Sequence, residues 1–237
     1  MSDFVYRETG SGEPVLVLHG WGCTSDTMGF VSAALAEAGF RAIAVDFPGV
    51  GGVAPEPGVP WTVHDYADWT LALMDELGLA RCHIVAHSFG GRVALLIAAT
   101  RPERVGKMVL TGCAGLRRFS LKRTLRIWGA KIGRMFGRRG SAGGSADYRA
   151  LKTEAMRATF RNVVNLDLTP LLPRIAAPTL LLWGKRDDAT PPWMAHRIEK
   201  RAKNVGLVWL EGDHFAFAQN PGEFCRVATY FLGQEGK

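Results

Sequence analysis

The stretch that most limits what this chain can fold into runs from Cys82 to Ala99, an apolar run broken by a serine and resumed as a helix. Cys82 to Ala86 reads as a buried strand, Arg92 to Ala99 as an apolar helix, and Ser88 stands on the turn between them. A turn that sharp has room only for small side chains two residues before and after the serine, and those positions hold Ala86 and Gly90. The arrangement lifts a hydroxyl above the end of a strand and turns the backbone N–H of Phe89 toward the same space.

The rest of the chain repeats the strand and helix alternation. Phe4 to Glu8 reads as an edge strand. Pro14 to His19, apolar along its length, suits a central parallel strand and runs into Gly20, Trp21 and Gly22. A helix over Thr27 to Ala38 stops at Gly39, Phe40 to Asp46 forms another buried strand, and the Gly/Pro-rich run from Gly49 to Pro60 is loop. Thr62 to Leu77 is a helix closed by Gly78, and Lys107 to Thr111 continues the sheet. Ala177 to Gly184 and Gly206 to Glu211 supply the last two strands, separated by a helix from Pro192 to Ala202. A final helix runs from Asn220 to Leu232.

Arg117 to Leu172 departs from this pattern. Leu121, Leu125, Trp128, Ile132, Met135 and Phe136 recur at spacings of three and four, as on one face of a helix, and a Gly/Ser-rich run at 137–145 separates them from one or two helices over Asp147 to Val164. The whole reads as an α/β fold. It has a mostly parallel open sheet of about seven strands with helices on both faces, a body of residues 1–116 and 173–237, and a helical cap inserted at 117–172.

At its serine turn the chain resembles the α/β-hydrolase family, with Ala86 where the family's Gly-x-Ser-x-Gly has its first glycine. The resemblance extends over about Pro14 to Leu116 and Ala177 to Leu232. In that family the strand ending in His-Gly leads to a second backbone donor, which falls here on Trp21 and joins Phe89 in an oxyanion hole. Two N–H groups must converge on one negative oxygen, and glycines let the backbone come close. Asp46 and His19 take structural roles in the resemblance, tying and backing the loops. The run from Trp183 and Gly184 through Asp187 to Pro191 is similar to the family's acid loop, with Asp188 the adjacent alternative. Thr111 to Leu116 holds no carboxylate. His214 follows the last strand, preceded by Asp213 where the family usually has glycine.

Ser88, Asp187 and His214 thus occur in the family's order, each after the C-terminal end of a strand, where open parallel sheets build their sites. The resemblance implies that His214 takes the proton of Ser88 and that Asp187 orients the imidazole. The expected activity is that of a carboxylesterase-like serine hydrolase acting on a small to medium acyl substrate through an acyl-Ser88 intermediate. Relatives with the same three residues cleave amides, thioesters, lactones and carbon–carbon bonds, and some are lyases. A carbon–carbon bond hydrolase or lyase is therefore an alternative, as is a catalytically silent protein bound to anionic lipid. Trp128, Met135 and Phe136 are expected to line the substrate pocket, although packing of the cap on the body accounts for them equally.

Charge narrows the partners. The 237 residues carry a net charge of +7, yet Arg117 to Arg139 alone holds nine Lys or Arg and no acid, so the remainder sums to about −2. A solvated lid face, attraction of an anionic substrate, or peripheral contact with an acidic membrane would each use such a segment. No nucleic-acid recognition module accompanies it. Cys23, Cys82, Cys113 and Cys225 are scattered without a paired spacing, and with no secretory signal or spanning run a cytoplasmic location is expected. No H-E-x-x-H, Walker loop or strand-associated G-x-G-x-x-G occurs, so no metal or cofactor is expected.

Overall fold

Seven strands form a single sheet in the order β1-β3-β2-β4-β5-β6-β7 in the computed structural model, which describes residues 4–117 and 146–234. The strands are β1 (Tyr6–Thr9), β2 (Glu13–Leu18), β3 (Phe40–Val45), β4 (Cys82–His87), β5 (Val105–Thr111), β6 (Thr179–Gly184) and β7 (Val205–Leu210). Only β1 is antiparallel to its neighbour, pairing Tyr6 with Val45 at the sheet edge. The others run parallel, with Leu18 opposite both Val45 and Ala86, and Ala86 opposite Leu110.

Alternation along each strand divides the core between the two faces of the sheet. Leu16, Leu18, Ile84, Ala86 and Leu110 point into one cluster, toward helices α2 (Val63–Glu76) and α3 (Phe89–Thr100). Val15, Val17, Val85 and Val109 point into the other, toward α1 (Gly29–Glu37) and the C-terminal helix Pro221–Gly233. Helix α2 starts where Thr62 accepts from the Asp65 N–H and the Asp65 carboxylate reaches back to the Thr62 N–H, a reciprocal cap. Gly39, with φ +85°, ends the turn after α1 in the left-handed region that favours glycine.

The sequence readings differ from this fold mainly at element ends. The helix expected over Thr27 to Ala38 is a short 3-10 turn, Ser25–Met28, followed by α1. Helix α3 begins at Phe89, a full turn before the apolar run suggests, and a short helix at Ala216–Gln219 was not anticipated. Between β5 and β6, which are hydrogen-bonded neighbours, the described residues contain two helices, α4 (Ala146–Ala150) and α5 (Glu154–Asn165), and a 3-10 segment at Thr169–Arg174. Helix α5 is fastened to the loop before α2: the Trp61 N–H donates to Thr159 Oγ1 at 2.9 Å, the Asn162 amide donates to the Trp61 carbonyl, and buried Met156 packs beside Gly49. No helix among the described residues is long and apolar enough to cross a membrane.

The strand order reverses at β2, whose successors lie on opposite sides of it. A crevice is built at the carboxyl ends of strands at such a reversal. The loops leaving β2 and β4 meet there, and they carry Gly20, Trp21 and Ser88.

Candidate active site

Ser88 occupies backbone torsions of φ 50° and ψ −105°, which a side-chain-bearing residue adopts only under constraint from its surroundings. The constraint is visible in its hydrogen bonds. Its N–H donates to the Thr111 carbonyl of β5, its carbonyl accepts from Ala114 and Arg92 N–H groups, and the Gly90 N–H donates to the His19 carbonyl of the neighbouring loop. Gly90 has no alternative here, since a Cβ would lie 2.4 Å from the Leu18 carbonyl oxygen.

Three distant segments converge on the hydroxyl. His214 Nε2 is 2.9 Å from Ser88 Oγ, and His214 Nδ1 is 2.9 Å from Asp187 Oδ2. Asp187 is buried near the start of the loop after β6, and it also accepts from the Thr190 N–H and hydroxyl at 2.8 and 2.7 Å. Burial alone would raise its carboxyl pKa, but the hydrogen bonds from His214 and Thr190 outweigh that and hold it below the usual carboxylate range. Asp188, its neighbour in sequence, is exposed. With the Asp187 oxygen as acceptor, Nδ1 carries the proton and Nε2 is left as the acceptor toward Ser88.

His19 and Asp46 sit behind this constellation. His19 is fully buried, its Nδ1 donating to the Gly20 carbonyl and its Nε2 accepting from the Phe47 N–H, while Asp46 accepts from the N–H and hydroxyl of Ser25. Where the sequence has Asp213 in place of glycine, the Asp213 carboxylate accepts from the Phe215 N–H.

Three residues missed by sequence reasoning belong to the site. Thr190 braces Asp187, and the Thr190 carbonyl in turn accepts from the indole N–H of buried Trp183. His87 lies under His214 with ring centroids 4.8 Å apart, and its Nε2–H donates to the His214 carbonyl. Burial, reinforced by the neighbouring His214, pushes its pKa down to about 3, so it is neutral in the folded protein. Arg92, one turn after Ser88, is buried and donates to the Val163 and Leu166 carbonyls at the end of α5. His87 and Arg92 are polar residues inside apolar runs, a signal that periodicity averages away.

A cavity of about 330 Å³ opens at Ser88, walled by Trp21, Phe89, Phe160, Val163, Val164 and Phe215 among others. The Trp21 ring stands edge-on to Phe89 and Phe160 at 5.4 and 5.2 Å. Trp21 and Phe89 therefore line the same cavity as Ser88. Trp128, Met135 and Phe136, expected in the pocket, lie outside the described residues. No cluster of three or more His, Cys, Asp or Glu suited to a metal occurs among the described residues.

Comparison with known proteins agrees with this fold. A family model described as the alpha/beta hydrolase family matches residues 15–227. The chain is 30% identical over 289 residues to a 2-hydroxy-6-oxo-6-phenylhexa-2,4-dienoate hydrolase of Comamonas testosteroni, covering 99% of this chain and 93% of that one. It is 26% identical to a pimeloyl-[acyl-carrier protein] methyl ester esterase of Aeromonas salmonicida, covering 94% and 97%. A crystal structure of a hydrolase from Pseudomonas aeruginosa superimposes with a TM-score of 0.79 at 23% identity, over 99% and 97% of the two chains.

Proposed function

The chain belongs to the alpha/beta hydrolase family, and from that premise we propose that it is a serine hydrolase that cleaves a carboxylic ester or related acyl bond with Ser88 as nucleophile. The observation that carries this reading is the continuous path from Ser88 Oγ through both nitrogens of His214 to Asp187, with each contact at 2.9 Å. A serine hydroxyl attacks a carbonyl at neutral pH only if a base removes its proton as the bond forms. His214 Nε2 is that base, and Asp187 fixes the tautomer and stabilises the imidazolium. The N–H groups of Trp21 and Phe89 receive the developing oxyanion, where loss of one such donor commonly costs on the order of 10² to 10³ in rate. His214 then protonates the leaving group. Water, deprotonated by the same imidazole, releases the acid from Ser88.

Treatment with a fluorophosphonate followed by peptide mass spectrometry should find the adduct on Ser88, and p-nitrophenyl butyrate should be hydrolysed until that adduct forms. Folded protein whose Ser88 stays unmodified would overturn the assignment. A second reading has support from the Comamonas relative, whose name describes hydrolysis of a 2-hydroxy-6-oxo dienoate. In that reading the same groups would cleave a carbon–carbon bond next to a ketone. Loss of the absorbance of such a dienoate, faster than turnover of any simple ester, would favour it.

A further inference from the structure

Arg92 is a buried cation that forms no ion pair with a carboxylate among the described residues. Its side chain is 8% exposed and lines the Ser88 cavity, yet its two hydrogen bonds go to neutral carbonyls, those of Val163 and Leu166, and its Nε has no partner. Buried charges are normally paired, and a guanidinium is built to grip a carboxylate with two parallel N–H groups. The acid whose charge reaches it, Asp167, has its Oδ1 committed to the N–H groups of Arg117 and Thr169 and to the Thr169 hydroxyl. Residues 118–145 contain no Asp or Glu, so that stretch has no carboxylate to offer. Burial brings the guanidinium down only to about 10, which leaves it charged at neutral pH.

The rest of the cavity gives an anion its direction. Trp21, Phe160, Val163 and Val164 give it an apolar wall, against which the guanidinium stands without a carboxylate partner among the described residues. Arg92 follows Ser88 by four residues on the same helical face, about 6 Å along the axis. A substrate with its acyl carbon at Ser88 thus has its far end within reach of the guanidinium.

Resting on the reading of Ser88 as nucleophile, we propose that Arg92 recognises a carboxylate at the remote end of the substrate, so that the enzyme prefers acyl compounds with a second, anionic end. A purely structural Arg92 would only tie α5 to the serine helix, and the two roles are separable. Monomethyl esters of dicarboxylic acids from succinate to suberate are compared with neutral isosteres ending in an isopropyl group, by pH-stat on the full chain. At the best chain length the anionic ester should be favoured in kcat/KM by about 10- to 100-fold, mainly through KM, the range expected of a hydrogen bond between charged groups. Arg92→Met should bring that ratio close to one, and Arg92→Lys should restore part of it. Equal handling of the two esters by the unaltered protein would overturn the proposal. So would an Arg92→Met variant that slows both and keeps their ratio, which would leave Arg92 as a tie to α5. Calorimetric titration of Ser88→Ala with monomethyl adipate tests the site without turnover. Binding that vanishes in the Ser88→Ala/Arg92→Met pair supports the carboxylate site even where no ester is cleaved; binding that persists in the pair, or is absent from Ser88→Ala, overturns it even where esters turn over.

Discussion

Mild acid should weaken the folded state through His87, and the structure sets the size of the effect. The ring is 1% exposed, with His214 above it and Phe215 and Phe217 against it, and its pKa is pushed down to about 3 from an ordinary 6.5 by burial first and then by His214, against the opposing pull of Asp187. A histidine held neutral in the fold but free to protonate when unfolded contributes stability that is complete above the unfolded pKa. That stability is lost as pH falls through 6.5 toward 3. Each pH unit in that interval is worth about 1.4 kcal/mol, so acidification from 6.5 to 5 removes about 2 kcal/mol, or roughly 4 to 8 °C in Tm for a chain of this size. Asp187 does not interfere, because its lowered pKa places its own loss in the carboxylate range, below this window. His19, also buried and lowered, adds to the slope in the same direction, so the test is a difference. His87→Gln keeps an N–H for the His214 carbonyl and removes the titration. Urea denaturation from pH 7 to 5 should show the unaltered protein losing about 2 kcal/mol more than the variant. Parallel curves would refute the reasoning.

Two further outcomes follow from the same site. Asp187→Asn presents an amide where His214 Nδ1–H now finds an acceptor and inverts the tautomer, so kcat on a p-nitrophenyl ester should fall by about 10⁴ while KM changes little; a loss below tenfold would mean that Asp187 does not orient the base. Gly90→Ala sets a methyl 2.4 Å from the Leu18 carbonyl oxygen and 2.7 Å from its carbon, backbone atoms of a central strand. Differential scanning calorimetry should register a loss of about 1 to 3 kcal/mol, and an unchanged Tm would show that the serine turn has room to spare.

The parallel strands were legible because strands covered on both faces must be apolar throughout, and their ends were marked by His19, Asp46, Ser88 and Gly184. Helix α3 was read too short since Gly90 and Gly91 are poor helix formers. Their close approach to Leu18 and Cys113 overrides propensity. Arg92 and Thr190 could not be assigned from local pattern, because what defines each is a partner far along the chain or a carboxylate whose burial only the fold reveals. The inward face of α5 is in plain view as Met156, Thr159, Phe160 and Val163 at spacings of three and four, and Phe160 and Val163 are the part of it that walls the cavity. Periodicity states that such a face is covered without saying by what.

The two departures from the family's letters show what its motifs constrain. Ala86 lies in extended strand between Leu18 and Leu110, and the positive φ of the turn falls on Ser88 itself, so position 86 needs only a small side chain. The close approaches are elsewhere: a Cβ on Gly20 would meet His87 Nδ1 at 2.7 Å, as one on Gly90 would meet Leu18. At the other departure, Gly212 takes the left-handed torsion with φ +129°, and a Cβ there would lie 2.0 Å from Gln219 Oε1, the same oxygen that accepts from the Asp213 N–H. Asp213 therefore has no need to be glycine, and its carboxylate fastens the turn that presents His214. What the turn demands is a left-handed residue and a clear approach at a given place, and positions 20, 90 and 212 meet that demand while 86 and 213 are left free to vary.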